Sequence, residues 1–441
     1  MEPAEHDPID TERLAQLSRQ GMLRRRRWAL GVAAVLAAGG AGLAGLNRRF
    51  LNPCASAADA GHRVDPDLLA SVWQGLAPAR VWDCHVHLAG VGAAPGDDSP
   101  WTNPRLRNPA NPFLFAHFAL YADASCVLDS PGRANLAYVE RLGQLTSEFP
   151  DGAKFMLFAM DGCYRPDGKL DTERSPMWVP NGYAMRIARQ DRDRFEWVAS
   201  INPARPDALE LLRDAARQGA VALKWVPYFM DIDPGSAEFN AFYDLLASLR
   251  LPLIVHAGWQ HELVRGSAQE HGNPLRLRRA LERGVRVVVA HCATQGDFAD
   301  TDPGGGNTQR SSFELFARMI DEPAHRGLLM GEISGIVDTG RPKEMLRELL
   351  THPRWRGRLL NGSDYPLPGV PVAVSTRHLI EGGLLDRRLA PLIDHIQAHN
   401  PLLFDLVLKR SLEWQGVRFA PEVFETAGYF RREAVGPAAP R

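Results

Sequence analysis

Two histidines, His85 and His87, stand two residues apart at the end of the apolar run VWDCHVHL, residues 81–88. In an extended strand, positions i and i+2 face the same side, so both imidazoles point to one place, as a divalent metal requires. Residues of ligand type recur downstream: Lys224 in VALKWVP, His256 in PLIVHAG, His291 in VVVAHCA and Asp364 in LLNGSDYP. Each stands at the end of an apolar run. A lone buried histidine is commonly a satisfied core residue. Four histidines and an aspartate at equivalent strand ends are hard to explain as packing, because each unpaired polar group there costs free energy. Neutral imidazoles and a carboxylate suit one or two divalent ions, zinc foremost, with a position left open for water. An ordinary lysine ligates poorly until its charge is removed, so Lys224 joins the set only if carboxylated; otherwise it pairs with a carboxylate at the rim.

Around these lies a second group. Glu332, in LMGEISGI, reads as the acceptor that orients a ligand histidine. Asp161, at the end of another apolar run, is a weaker candidate for the same work. Trp101, Arg105, Arg107 and Arg165 sit in long connecting segments and suit an aromatic or anionic part of a substrate. Cys84 and Cys292 adjoin His85 and His291, and strand alternation turns both away from the metal. His261, Glu262 and His271 read as solvated loop residues.

The elements that must position these residues are eight apolar runs: 81–88, 154–160, 195–201, 221–226, 251–256, 285–291, 327–333 and 358–361. Amphipathic stretches separate them, such as Leu209, Leu212 and Ala215 before Gly219, or Met345, Leu346, Leu349 and Leu350 before Pro353. Strands alternating with helices pair in parallel, and eight repeats predict an α/β fold, a closed (β/α)₈ TIM barrel. The rival, an open doubly wound sheet, lacks its GxGxxG turn after the first strand. Four connections are long: 90–130, 161–194, 257–273 and 292–312. All follow strands, on the face where barrels build their active sites, and so supply lids and specificity walls. From about residue 371 the tail reads as closing helices.

The chain has 51 basic and 52 acidic residues, a net charge of −1 that offers nothing for nucleic acid to recognise. Its five cysteines, Cys54, Cys84, Cys126, Cys163 and Cys292, show no CxxC spacing, and their odd number leaves at least one free thiol. Residues 28–46 carry no charge and as a helix would span roughly 28 Å, close to a bilayer's hydrocarbon thickness. Arg24, Arg25, Arg26 and Arg27 precede them; Arg48 and Arg49 follow. This bias keeps the N-terminus in the cytoplasm and the remainder outside, as a single-pass membrane anchor. The alternative is a twin-arginine export signal cleaved near Ala57 or Ala60, leaving an exported soluble protein. The organisation expected is a cytoplasmic basic N-terminus (1–27), the membrane helix (28–46), a linker (47–79), the barrel (80–412) and a C-terminal extension (413–441). Homo-oligomers stay open.

The motifs DCHVHL at 83–88, VALKWVP at 221–227, LPLIVHAG at 251–258, VVVAHC at 287–292 and NGSDYP at 361–366, in this order, resemble the amidohydrolase superfamily, specifically its amidohydrolase-2 branch. The resemblance covers residues 80–412. It implies His85, His87 and His256 as metal ligands, and His291 as a further ligand or a group that polarises the substrate. Asp364 is implied as ligand and general base for a metal-activated water, and Lys224 as a bridge between two ions where carboxylated. The function expected is a metal-dependent hydrolase of an amide, ester or lactone carbonyl in a small molecule. A decarboxylase or hydratase of the aminocarboxymuconate-semialdehyde decarboxylase type is the alternative, favoured if no bridge links two metals. A noncatalytic, membrane-anchored binding protein is the third reading.

Overall fold

The computed structural model describes residues 52–54 and 64–431, apart from 93, 97–98, 128–129, 131 and 261–267. The apolar segment 28–46, His261 and Glu262 lie outside the described residues; among those described, no helix is long and apolar enough to cross a membrane.

All eight predicted runs form strands: β1 (Trp82–His87), β2 (Lys154–Phe158), β3 (Phe195–Ala199), β4 (Ala222–Trp225), β5 (Leu253–His256), β6 (Val287–Ala290), β7 (Leu329–Glu332) and β8 (Leu359–Leu360). They pair in chain order, every ladder parallel. The circle closes beyond β8, where Cys84 N–H donates to Asn361 O at 3.1 Å and His87 N–H to Tyr365 O at 3.1 Å. A barrel has no sheet edge, and its strand ends converge on one mouth.

Apolar side chains alternate between two cores. Trp82, Met156, Val198, Ile254, Val288, Met330 and Leu360 form one buried cluster inside the barrel. Val86, Leu157, Leu223, Val255 and Val289 belong to the larger cluster beneath the helices. Among these helices, α1 (Pro112–Ala124) lies in the first long connection and α2 (Ala208–Arg217) buries Leu212 and Ala215. In α3 (Asn240–Ser248) the buried residues are Phe242, Tyr243 and Leu246, whereas α4 (Lys343–Thr351) buries the four residues its periodicity predicts. The tail supplies α5 (Pro401–Ser411), α6 (Pro421–Phe424) and α7 (Ala427–Phe430). Ala427 and Phe430 join the interior cluster and seal the barrel floor, tied down by Thr426 Oγ1 donating to Trp82 O at 2.6 Å.

One alternation breaks. Asp83 pairs with Phe155 and Val86 with Leu157, so Cys84 and His85 together oppose the single residue Met156. Such a bulge re-aims side chains. Cys84 therefore packs inside the barrel with Trp82 and Met156, correcting the expectation that it points away, and His85 still faces the interior above it. Cys54 and Cys126 form a disulfide, with Cα atoms 5.5 Å apart, that ties residues 52–54 to the end of α1. Cys84, Cys163 and Cys292 are free and buried.

Candidate metal centre

At the barrel mouth, Nε2 of His85 lies 3.2 Å from Nε2 of His87, and both face Oδ1 of Asp364, at 3.3 and 3.1 Å. Four ligands set tetrahedrally at about 2.0–2.1 Å from zinc stand about 3.3–3.4 Å apart, so the three atoms match one face of such a tetrahedron. His85 is held by its other nitrogen: Nδ1 donates to Glu332 Oε2 at 2.9 Å, leaving Nε2 with its lone pair toward the ligand cluster. Glu332 is fully buried and thus orients His85 rather than meeting the cavity.

His85, His291 and Glu332 make a second cluster of ligand type. Its centre is filled. Ser334 Oγ donates to Glu332 Oε2 at 2.7 Å and lies 3.0 Å from His85 Nδ1 and 2.8 Å from His291 Nδ1. His291 Nδ1 also meets Ser334 O at 3.0 Å, an acceptor only, so this nitrogen carries the proton. Its Nε2 is then an acceptor in the neutral ring. That suits metal ligation or proton uptake; polarising a substrate by donation would need a second proton. Burial opposes it, holding both His291 and His85 well below the ordinary imidazole range, with the nearby His256 and Lys224, respectively, adding to the effect.

Burial also pulls the Lys224 ammonium down to about 8, against the carboxylates of Asp364 and Glu332. Its Nζ stands 3.4 Å from His85 Nε2 and 4.9 Å from the Phe158 ring centre. For Asp364 burial acts upward, yet His85, the His87 hydrogen bond and Lys224 prevail and keep the carboxyl well below its usual range. His256 is kept neutral, pushed down to about 3 by burial and Lys224. It lies outside the three-ligand group. Its ring is 5.0 Å from that of His291 and 5.4 Å from that of Tyr228, and its Nε2 is buried and finds no hydrogen-bond partner among the described residues. An orphaned imidazole nitrogen beside His291, at the mouth of the cavity, is the kind of atom an ion or its bound substrate satisfies.

The turn after β8 is built around Asp364. Asp364 adopts a left-handed φ of 62° and its N–H donates to His85 O at 2.8 Å. Asp83 Oδ1 accepts from the N–H groups of His85 and Ser363, at 3.1 and 2.8 Å, clipping the bulge to the turn. A Cβ on Gly362 would lie 2.5 Å from His85 Cβ and 2.7 Å from Glu332 Oε1. We expect Gly362→Ala to cost about 2–3 kcal/mol of stability and to lower metal content, read by denaturant melts and metal analysis; wild-type values for both would contradict this packing.

The mouth opens into a cavity of about 590 Å³ lined by Tyr121, His256, Trp259, His291, Arg341 and Asp364 among others. Several expected substrate contacts lie elsewhere. Trp101 is buried in a two-stranded ribbon against Trp178, because the first two long connections pair with one another. Asp161 is not brought to the metal cluster. Its carboxylate accepts from Asn202 N–H at 2.8 Å, Gly162 N–H at 3.0 Å and Tyr164 OH at 2.8 Å, and so organises the loops beside it. Arg107 bonds Val91 O and Arg165 faces Asp167. Arg341 takes their place at the cavity, its Nη1 donating to Thr294 Oγ1. A Cβ on Gly335 would lie 3.1 Å from Arg341 Nη2 and 3.5 Å from His291 Nδ1, which puts the guanidinium next to the site. Arg341 and Ser334 were not singled out in the sequence, although Ser334 follows Glu332 by two residues.

The sequence pattern described as "Amidohydrolase" (Amidohydro_2) matches residues 82–386. No curated protein sequence matches the chain significantly. Similar solved structures include an uncharacterised TIM-barrel protein from Bordetella bronchiseptica, 13% identical over 72% of this chain and 99% of that one, with a TM-score of 0.41. Others are 5-carboxyvanillate decarboxylase from Sphingomonas paucimobilis (13%, 73% and 96%, 0.39) and a probable 2-pyrone-4,6-dicarboxylic acid hydrolase from Acinetobacter baumannii (12%, 74% and 99%, 0.38). At such TM-scores the likeness carries no argument about chemistry.

Proposed function

Since the chain belongs to the amidohydrolase family and is a metal-dependent enzyme of that superfamily acting on a small molecule, we propose that it hydrolyses an amide, ester or lactone carbonyl in a substrate bearing an anionic group. Family membership sets the noncatalytic reading aside. The observation that carries the proposal is the cluster of His85 Nε2, His87 Nε2 and Asp364 Oδ1, spaced as ligands of one zinc ion. Zinc bound there would polarise the carbonyl and bring the pKa of a coordinated water toward neutrality. Asp364, held ionised, accepts the water proton and returns it to the leaving group. His291 Nε2 and the orphaned His256 Nε2 supply further lone pairs on the cavity side.

Arg341 binds the anionic group. Charge-assisted hydrogen bonds are worth about 1.5–3 kcal/mol, so Arg341→Met should raise KM about 30-fold and leave kcat within about threefold. An equal loss in kcat would move Arg341 from binding to chemistry.

A second reading has one observation in its favour. Lys224 Nζ already stands at ligand-to-ligand distance from His85 Nε2, which leaves no gap for a bridging carbamate and supports a single ion. A one-metal site without that bridge suits decarboxylation of a carboxylated substrate. Turnover of candidate lactones and carboxylated aromatics in ¹⁸O-water separates the two. The hydrolase places one labelled oxygen in the product acid, whereas release of carbon dioxide with no label in the organic product would establish the lyase.

We also place the barrel outside the cytoplasm, anchored through residues 28–46. The Cys54–Cys126 disulfide supports this, since such bonds persist in oxidising compartments.

A further inference from the structure

Beneath the metal cluster, Lys409 is fully buried on α5. Its Nζ donates to Asp405 Oδ2 at 2.7 Å and to the carbonyl of Gly362 at 2.7 Å. Both α5 residues lie beyond the 82–386 region that the family pattern matches. The Gly362 peptide lies against the His85 side chain, Ser363 is clipped to Asp83, and Asp364 follows with a left-handed backbone. A buried ammonium satisfied by one carboxylate would suffice for packing. The second bond, to a turn two residues before a ligand, gives Lys409 more to do.

We infer that Lys409 is a positioning residue: by holding the Gly362 carbonyl from below, it keeps the 361–364 turn where Asp364 meets the ligand set of His85 and His87. The tail helix therefore sets the geometry of a ligand that β8 alone, two residues long, does not fix. The inference rests on the metal reading above.

The test is Co(II) binding to the full chain, followed by its visible absorption and by competition with a chelator. Asp405→Asn keeps the Lys409–Gly362 bond and should bind Co(II) within about threefold of wild type, with the same band positions. Asp405→Leu with Lys409→Met replaces the pair by apolar groups, the exchange that buried ion pairs most often survive; it should bind roughly 10–100-fold more weakly, with shifted bands. If that variant does not melt cooperatively, Asp405→Asn with Lys409→Met makes the same comparison. Identical affinity and spectra with and without Lys409 would overturn the positioning role alone. A wild-type chain that takes up no Co(II) would overturn both this role and the metal reading.

Discussion

Replacing His85 and His87 together by alanine should strip the protein of its metal. We expect content to fall from about one ion per chain to below about a tenth, because two of the three clustered ligands disappear and structural zinc binding is worth about 10–16 kcal/mol with a full set. Activity should drop by at least about 10³-fold, while far-UV circular dichroism stays that of a barrel. Of the interior cluster beneath them, Phe158 packs against both rings, while Trp82, Val198, Ile254 and Val288 remain to hold the barrel together. Metal analysis of the purified double variant decides the matter: an unchanged ion content would sink the site as drawn. Glu332, left buried without its imidazole partner, should make the variant less stable, so a lower melting temperature is part of the expected result.

Asp364→Asn separates ligation from base chemistry. Asparagine accepts the left-handed backbone of this position and keeps an oxygen for the ion, but it cannot take a proton. With zinc supplied to saturation, kcat should fall about 10³–10⁴-fold, the upper range for losing a general base. Wild-type turnover under zinc saturation would mean that proton transfer runs through another group, with His291 the first to examine, since its Nδ1 is held by Ser334 and it lines the same cavity as Asp364.

Much of this site was legible beforehand because it is periodic. Side chains alternate along a strand and strands repeat around a barrel, so residues at equivalent ends meet. His85, His87, Asp364, Lys224 and Glu332 meet as that rule predicts. The rule fails where the backbone departs from regularity. A one-residue bulge sends Cys84 inward beside His85. The sharp turn after β6, where His291, Cys292 and Ala293 all have positive φ, aims His291 toward Ser334. The long connections obey no period. Trp101 is absorbed by the ribbon between the first two of them and Asp161 by its own connection and the loop after β3, and the cavity instead takes Arg341 from the segment after β7.

The sequence by itself determined the barrel, the strand ends and the residue types that gather there, because those follow from local pattern. It determined the kind of chemistry for the same reason, since imidazole and carboxylate donors select a divalent ion. Only the tertiary structure decided that His85, His87 and Asp364 form the closest set with His256 standing off. It also decided that Ser334 fills the second cluster, that Arg341 lines the cavity, and that Lys409 reaches the turn from the far end of the chain. These depend on distances of a few ångströms between segments hundreds of residues apart, which spacing along a chain does not encode.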